Sequence, residues 1–390
     1  MSQTSIKKVG IALMVSIGLA VALAACGGGG SSSSTTGGGT GESPAAEETS
    51  PASSEEGGGS AVAAAEKVVE PYVGHPSPFP VTEPLKKVPK GARFIFADAG
   101  TPLNALQWQL LGPAAATMGV KLERITAGVS ANTIGTAMDS VVAKEPDAVL
   151  INAVPPEFFT KQLKELQDAG VTLTGAGITG GPKYGIEPVQ GEEHYGELLA
   201  NYVIADMNPE ANVAVYTVPE IPVILAITKE FEQAYESLCS ECGLRTVEIH
   251  ASELGNTAPN TVVSDLQANP DTTLAVFGTA EIEAGLPAAL QAAGIEVETL
   301  GSSPGPTELQ YLKEGKTTAA LGFDLPVLTW GLLDQAAREI AGQKLTGLQA
   351  EGIGVFQFLK KEDVQYDVSK GWSGYPEFAE MFAELWGVKG

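Results

Sequence analysis

The sequence predicts an α/β fold built from two lobes with parallel sheets and a ligand cleft between them. From Arg93 onward, short apolar runs alternate with amphipathic segments. The runs are rich in Val, Ile, Leu and Phe and mostly lack polar alternation, which is typical of parallel strands buried on both faces. The alternation occurs twice, with a break near residues 189–193. Two similar lobes follow, with ligands expected beyond the carboxyl ends of the strands.

Each element of this prediction rests on a local pattern. Thr101-Pro102 places a capping residue before a proline at the first helical position, and Gly170 follows a helix where a left-handed residue ends it. Pro113 lies inside the first of these helices and predicts a kink. The predicted strands cover residues 93–98, 120–125, 148–152, 171–174, 212–218, 244–249, 273–277, 297–300, 317–322 and 353–358. The predicted helices cover residues 102–118, 131–144, 156–169, 193–207, 222–240, 258–268, 281–293, 307–313 and 326–341.

The N-terminus predicts export from the cytoplasm. Lys7 and Lys8 precede an apolar run over residues 9–25, which ends in small residues before Cys26. A basic start, a short apolar core and a small-residue cleavage site define a signal peptide, here residues 1–25. The small residues and the cysteine at the cleavage site resemble the bacterial lipobox, and this resemblance implies lipidation of Cys26. An uncleaved anchor helix is the alternative, and either leaves the rest of the chain outside the cytoplasm.

A low-complexity segment follows the export signal. Residues 27–65 consist largely of Gly, Ser, Thr, Ala, Pro and Glu, and residues 71–90 are rich in proline. A segment with little to bury stays disordered, so residues 26–91 are expected to form a disordered linker and an irregular lead-in. About 300 residues remain, which is typical of two domains. No later apolar run reaches the length that spans a membrane.

The charge of the chain disfavours some partners. Its formal net charge is -24 and its isoelectric point is near 4.5. Nucleic-acid binding needs a basic face, so nucleic acid is excluded as a partner. Charge also disfavours binding to anionic lipid, and solubility is the simplest reason for the acidity.

Cys239 and Cys242 form a C-x-x-C pair at the end of a predicted helix. In an oxidising compartment we expect a local disulfide. A zinc site would need further ligands, and no paired Cys or His lies nearby in the sequence. A thioredoxin-type motif would begin a helix after a strand, whereas this pair ends one.

Motifs that resemble catalytic sites lack the accompanying chemistry. Residues 175–180 match G-x-G-x-x-G, but Pro182 and the glycines around it prevent the helix that dinucleotide binding requires. Residues 301–305 match G-x-S-x-G, but Pro304 has no N–H for an oxyanion hole. The histidines are far apart in the sequence, at His75, His194 and His250. We therefore predict no catalytic residue, no cofactor and no metal.

The order of elements resembles the type I periplasmic binding proteins, the ribose- and galactose-binding group. The resemblance covers residues 92–345 and is carried by the segments 94–98, 101–104, 145–152, 163–171, 274–277 and 284–294. It implies two Rossmann-like lobes joined by crossover hinges near residues 189–191, 323–324 and 346–352. The N-terminal lobe would comprise residues 92–190 and 324–350. The C-terminal lobe would comprise residues 191–323 and 351–390.

The resemblance also implies where a ligand binds. Thr101, Leu103 and Gly177 fall where sugar-binding members carry an asparagine, an aromatic residue and an aspartate, so most groups that bind sugar hydroxyls are missing. We hypothesise a less polar, aromatic ligand. The alternative is a sugar held by other groups, with these residues packing the lobes together. The predicted ligand contacts are Thr101, Leu103, Asn104, Trp108, Gly177, Glu220, Thr279, Glu281, Ser303, Phe323 and Asp324.

The function that this resemblance implies is solute capture for import. A monomeric lipoprotein, anchored through Cys26 on the extracytoplasmic face of the cell membrane, would close on a small organic ligand and dock on an ABC permease. The ligand would be a sugar or a less polar compound. One alternative is a receptor that presents its closed form to a membrane signalling protein. Another is a surface lipoprotein that binds no solute.

Overall fold

A computed structural model describes residues 55–74, 78–189, 194–345 and 355–388. The signal peptide 1–25, Cys26, and most of the crossovers at 189–191 and 346–352 lie outside the described residues. The α-helices are α1 (Glu55–Val69), α2 (Pro102–Met118), α3 (Ala131–Ala143), α4 (Thr160–Asp168), α5 (Tyr195–Tyr202), α6 (Pro222–Leu238), α7 (Ala258–Ala268), α8 (Leu286–Ala293), α9 (Pro306–Glu314), α10 (Leu325–Ile340) and α11 (Phe378–Leu385). Short 3-10 helices cover Glu70–Tyr72, Pro156–Phe158, Gly181–Tyr184, Ala251–Glu253, Ala280–Glu283, Lys361–Asp363 and Val368–Lys370, and a π-helix covers Val203–Met207.

Two sheets form the two predicted lobes. The first contains β1 (Arg93–Asp98), β2 (Lys121–Thr126), β3 (Ala148–Asn152), β4 (Thr172–Ala176) and β5 (Glu187–Pro188), in the order β2-β1-β3-β4-β5. The second contains β6 (Val213–Thr217), β7 (Leu244–Glu248), β8 (Leu274–Phe277), β9 (Glu298–Ser302), β10 (Ala319–Phe323) and β11 (Phe356–Leu359), in the order β11-β10-β9-β8-β6-β7. The predicted α/β class with parallel sheets is confirmed.

One strand runs against the others. Every pairing in both sheets is parallel except that of β10 with β11, which is antiparallel. The prediction that residues 353–358 form another parallel strand was therefore wrong in direction. A run of Phe and Leu fits either direction, because strand polarity depends on where the preceding segment delivers the chain rather than on the strand's composition.

The N-terminal lead-in is folded where the structure describes it. Val62, Ala65 and Val69 recur at helical spacing on α1, and they pack in the same apolar cluster as α5 and the π-helix. Beyond it, Phe79 and Leu85 are buried, and the Leu85 N–H donates to the Leu385 carbonyl at 2.7 Å. The disorder predicted for residues 27–65 was wrong from Glu55 onward, because the composition of that segment gave no sign of its helical apolar stripe.

The C-terminal segment divides between the lobes. β11 joins the second sheet, but α11 packs against α10 and α2 of the first lobe. Trp386 stacks on Trp330 of α10 at 5.3 Å between ring centroids. The assignment of all residues 351–390 to the C-terminal lobe therefore differs from the structure, because buried aromatic rings draw the last helix onto α10.

Two local predictions concern α2 and the cysteines. Helix α2 continues through Pro113 to Met118 without a break, capped at Thr101 by a reciprocal hydrogen bond with Asn104. A disulfide joins Cys239 and Cys242 directly after α6. Within the part of the chain that the structure describes, no helix is both long enough and apolar enough to cross a bilayer.

Candidate ligand-binding site

A cavity of about 90 Å³ lies between the two lobes. Because one water takes up about 30 Å³ in the liquid, this space corresponds to about three waters. Residues after β1, β3 and β4 line one side, and residues after β8 and β9 line the other. The starts of α6 and α10 complete the wall. The carboxyl ends of the strands thus form the site, as expected for open parallel sheets.

One end of the cavity carries a hydrogen-bonded amide cluster. The side-chain amide of Asn104 donates to the Asn152 carbonyl at 2.7 Å and to the Gln107 carbonyl at 2.9 Å. Its own carbonyl accepts from the N–H groups of Gly100 and Thr101, both at 3.1 Å. Asn104 therefore uses its full capacity within the protein, and its role is to orient Gln107 and Asn152.

Glu281 bridges the two lobes at the cavity. It follows β8, and its carboxylate accepts a hydrogen bond of 2.7 Å from the Leu103 N–H in the first turn of α2. The positive end of the helix dipole favours a carboxylate there. Glu281 is only 5 % exposed, and burial raises its pKa above the usual 4.5, while the bonds from Leu103, Thr101 and Thr279 partly offset this rise.

Two further carboxylates lie behind Glu281. Burial raises the pKa of Glu283 well above its usual value, with a contribution from the nearby Glu308, and one Glu283 oxygen has no hydrogen-bond partner in the structure. Burial likewise raises the pKa of Glu308 to about 7, with a smaller contribution from Glu281. Across the described residues, no group of three His, Cys, Asp or Glu has a geometry that could hold a metal ion.

Most of the rest of the cavity lining is apolar. Aliphatic side chains at the start of α6 face the first turns of α10 and the aromatic rings of Tyr195 and Phe323. The two rings lie 6.2 Å apart between centroids, and both contact Phe356. The aliphatic lining consists of Leu103, Ile221, Val223, Ile224, Ile227, Leu325 and Leu328.

Most of the predicted contact residues line this cavity. They are Thr101, Leu103, Asn104, Gly177, Thr279, Glu281, Ser303 and Phe323. Gly177 has a positive φ of 60°, and a Cβ there would approach Val223 across the cleft.

Three predicted contacts do not line it. Asp324 caps α10 through the Val327 N–H and accepts two further bonds from Ser373 and Gly374, and burial raises its pKa to about 7. Glu220 pairs with His250 at 2.8 Å. Trp108 lies on α2 and packs against the apolar core. Trp108 follows Asn104 by four residues on α2, so helical spacing alone did not exclude it from the cavity.

The sequence patterns did not indicate the aliphatic wall of the cavity or the amides of Gln107 and Asn152. Asn152 is the last residue of a predicted strand. Its place at the carboxyl end of that strand could have identified it as a cavity residue. Gln107 follows Asn104 by three residues, which places both on one helix face. The aliphatic residues of α6, from Ile221 to Ile227, had no distinguishing signal, because an apolar stripe on a helix usually indicates core packing.

Glu281→Gln should change how stability depends on pH. Because the folded protein raises the pKa of Glu281, the stabilising contribution of its neutral form is fully present below about pH 4.5 and is lost as pH rises through the raised pKa. The variant lacks this loss, so its melting temperature should rise relative to wild type between pH 5 and pH 8. Thermal unfolding across this range measures the difference.

Glu123→Gln is the matched control. Glu123 is exposed and pairs with Lys144, whose hydrogen bond and charge lower the pKa of Glu123. Glu123→Gln should therefore not raise the melting temperature between pH 5 and pH 8. If the melting temperatures of wild type and Glu281→Gln change with pH in parallel, the raised pKa of Glu281 is contradicted.

Two parallel-sheet lobes with a mostly apolar cavity between them, at their strand ends, define a solute-binding protein. Residues 94–344 match the periplasmic binding protein domain, and the chain belongs to that family. The family consists of transport receptors and not of enzymes. No curated protein matches the chain.

Solved structures share this fold. A periplasmic solute-binding protein from Actinobacillus succinogenes with bound D-allose aligns over 70% of this chain and 99% of its own, at 15% identity and a TM-score of 0.60. A solute-binding protein from Agrobacterium vitis with bound allitol aligns over 70% of this chain and 97% of its own, at 18% identity and a TM-score of 0.62. A carbohydrate transporter from Acidothermus cellulolyticus in complex with myo-inositol aligns over 75% of this chain and 99% of its own, at 14% identity and a TM-score of 0.62.

Proposed function

We propose that this protein is a lipid-anchored, extracytoplasmic receptor that captures a small organic solute and delivers it to an ABC importer. The observation that carries the proposal is the cavity between the lobes, bridged by the bond from Leu103 to Glu281. A bridge between two lobes over a cavity belongs to a closed, ligand-holding geometry. The structural relatives with bound D-allose, allitol and myo-inositol support a solute of similar size.

Closure would proceed by rotation of the lobes about their connections. The chain passes from β10 in the second sheet to α10 against the first lobe within two residues, at Phe323 and Asp324. A short connection with a capped helix start is suited to a hinge, because a few residues absorb the rotation. The closed form would present both lobes to the permease together, and the solute would be released there without a change in its covalent bonds.

The proposal predicts that Cys26 is required for membrane attachment. Wild type should be recovered in the membrane fraction and should incorporate radiolabelled palmitate, whereas Cys26→Ala should do neither. A lipid with two or more acyl chains holds a protein firmly at a bilayer, so the shift should be nearly complete. The control is the double variant Cys239→Ala/Cys242→Ala, which lacks the disulfide but keeps Cys26.

Solute transport is tested separately. Cells that lack the protein should lose uptake of the solute that stabilises it most strongly in a thermal-shift screen. Normal uptake in such cells, or equal membrane attachment of the Cys26→Ala variant, would contradict the corresponding part of the proposal.

A further inference from the structure

The charge of the cavity restricts its ligand. The residues that line it include one ionisable carboxylate, Glu281, and no Lys, Arg or His among the residues that the structure describes. A buried anion without a partner cation costs several kcal/mol on the scale of ion desolvation. The site therefore disfavours carboxylates and phosphates.

The amide cluster presents hydrogen-bond donors. Because Asn104 donates to the carbonyl oxygens of both Gln107 and Asn152, the NH₂ groups of those residues point away from it. No hydrogen bond within the described residues uses either NH₂ group, and both residues line the cavity while being 1 % and 7 % exposed. Donors that border a cavity need an acceptor, which either a water or an oxygen atom of a ligand supplies.

The aliphatic part of the opposite wall offers no hydrogen-bond partner to the hydroxyls of a polyhydroxylated ligand. Every buried hydroxyl needs a hydrogen-bond partner, and an unsatisfied one costs about 1–3 kcal/mol. Ile221, Ile224 and Leu328 provide none, and neither does the ring of Phe323. An apolar ligand surface gains roughly 25 cal/mol per Å² of burial against the same wall.

We propose that the ligand is an uncharged cyclic carbonyl compound, such as a small aromatic or alicyclic amide or ketone. Its carbonyl oxygen accepts from Gln107 and Asn152, and its ring lies against the start of α6 and Phe323. This inference rests on the proposed function, because it names the class of solute that the receptor captures.

Titration calorimetry with head-group variants of one ring tests the inference. The probes are benzamide, cyclohexanecarboxamide, benzoate and benzylamine, with D-galactose and myo-inositol as polyhydroxylated probes. The two amides should bind at least tenfold more tightly than every other probe. Tighter binding of benzoate, benzylamine or either polyhydroxylated probe would overturn the ligand class while leaving the receptor function intact. Absence of binding by all six probes would overturn the ligand class, and a thermal-shift screen of a wider solute library that also finds no ligand would overturn the receptor function.

Variants locate the interaction. Gln107→Leu should weaken benzamide binding at least tenfold, whereas Gln365→Leu, an exposed glutamine near the C-terminus, should leave it unchanged. In Glu281→Gln the preference for benzamide over benzoate should shrink, because the like charge is gone. An unchanged preference in that variant, with folding verified by its melting temperature, would refute the charge argument.

Discussion

Replacing Arg338 with methionine should lower the free energy of unfolding by about 3–5 kcal/mol. Arg338 on α10 is 1 % exposed, and its Nε donates to the fully buried carboxylate of Asp334 at 2.7 Å. Its Nη2 donates to the Glu83 carbonyl at 2.7 Å. The other Asp334 oxygen accepts from the Trp386 indole at 2.8 Å. Methionine fills a similar volume but leaves Asp334 as a buried anion without its cation.

Urea unfolding measures this effect, and the chain contains a matched control. Lys164 and Asp168 form an ion pair with the same i, i+4 spacing, but their side chains are 74% and 64% exposed. Lys164→Met should therefore cost at most about 0.5 kcal/mol. Removing both buried charges, in Arg338→Met/Asp334→Leu, should recover part of the loss, because an apolar pair needs no compensation. A loss below about 1 kcal/mol for the single variant would disprove the role of the pair.

The consequence extends beyond stability. Arg338 and Asp334 tie α10 to the lead-in at Glu83 and to the C-terminal tryptophan. Since α10 begins directly after β10 and supplies Leu325 and Leu328 to the cavity, this network fixes the position of one cavity wall. Loosening it should also weaken ligand binding.

Asn104→Leu should have the largest effect on ligand capture. The substitution removes four hydrogen bonds that are shared among two backbone N–H groups and two side-chain carbonyls. Each buried polar group left unsatisfied costs about 1–3 kcal/mol, so the free energy of unfolding should also fall. Without Asn104 the amides of Gln107 and Asn152 lose their fixed orientation, and benzamide affinity should fall at least tenfold.

Calorimetry and urea unfolding together separate the two effects. Asn132→Leu is the control, because Asn132 is exposed near the start of α3 and is far from the cavity. Asn104→Asp is informative as well, since a carboxylate still accepts from Gly100 and Thr101 but cannot donate to Gln107 or Asn152. Unchanged affinity in folded Asn104→Leu would show that the amide cluster has no part in binding.

Features that depend on residues close together in the sequence could be predicted from it, whereas features that depend on distant partners could not. The sequence by itself determined the order of strands and helices and the bounds of α2 and α7. The N-cap at Thr101, the proline at the first position of α2 and the apolar periodicity act within a few residues, so they are legible in the chain. The sequence also placed eight of the nineteen residues that line the cavity, because the residues that follow parallel strands converge at one edge.

Only the tertiary structure decided the rest. The antiparallel direction of β11, the packing of α11 on the first lobe and the folding of α1 depend on partners that are distant in sequence. Asn104 and Trp108 are four residues apart on α2, and only tertiary packing decided that Asn104 lines the cavity while Trp108 packs against the apolar core. Packing between the two lobes, which no local pattern encodes, decided that Glu281 bridges the cleft.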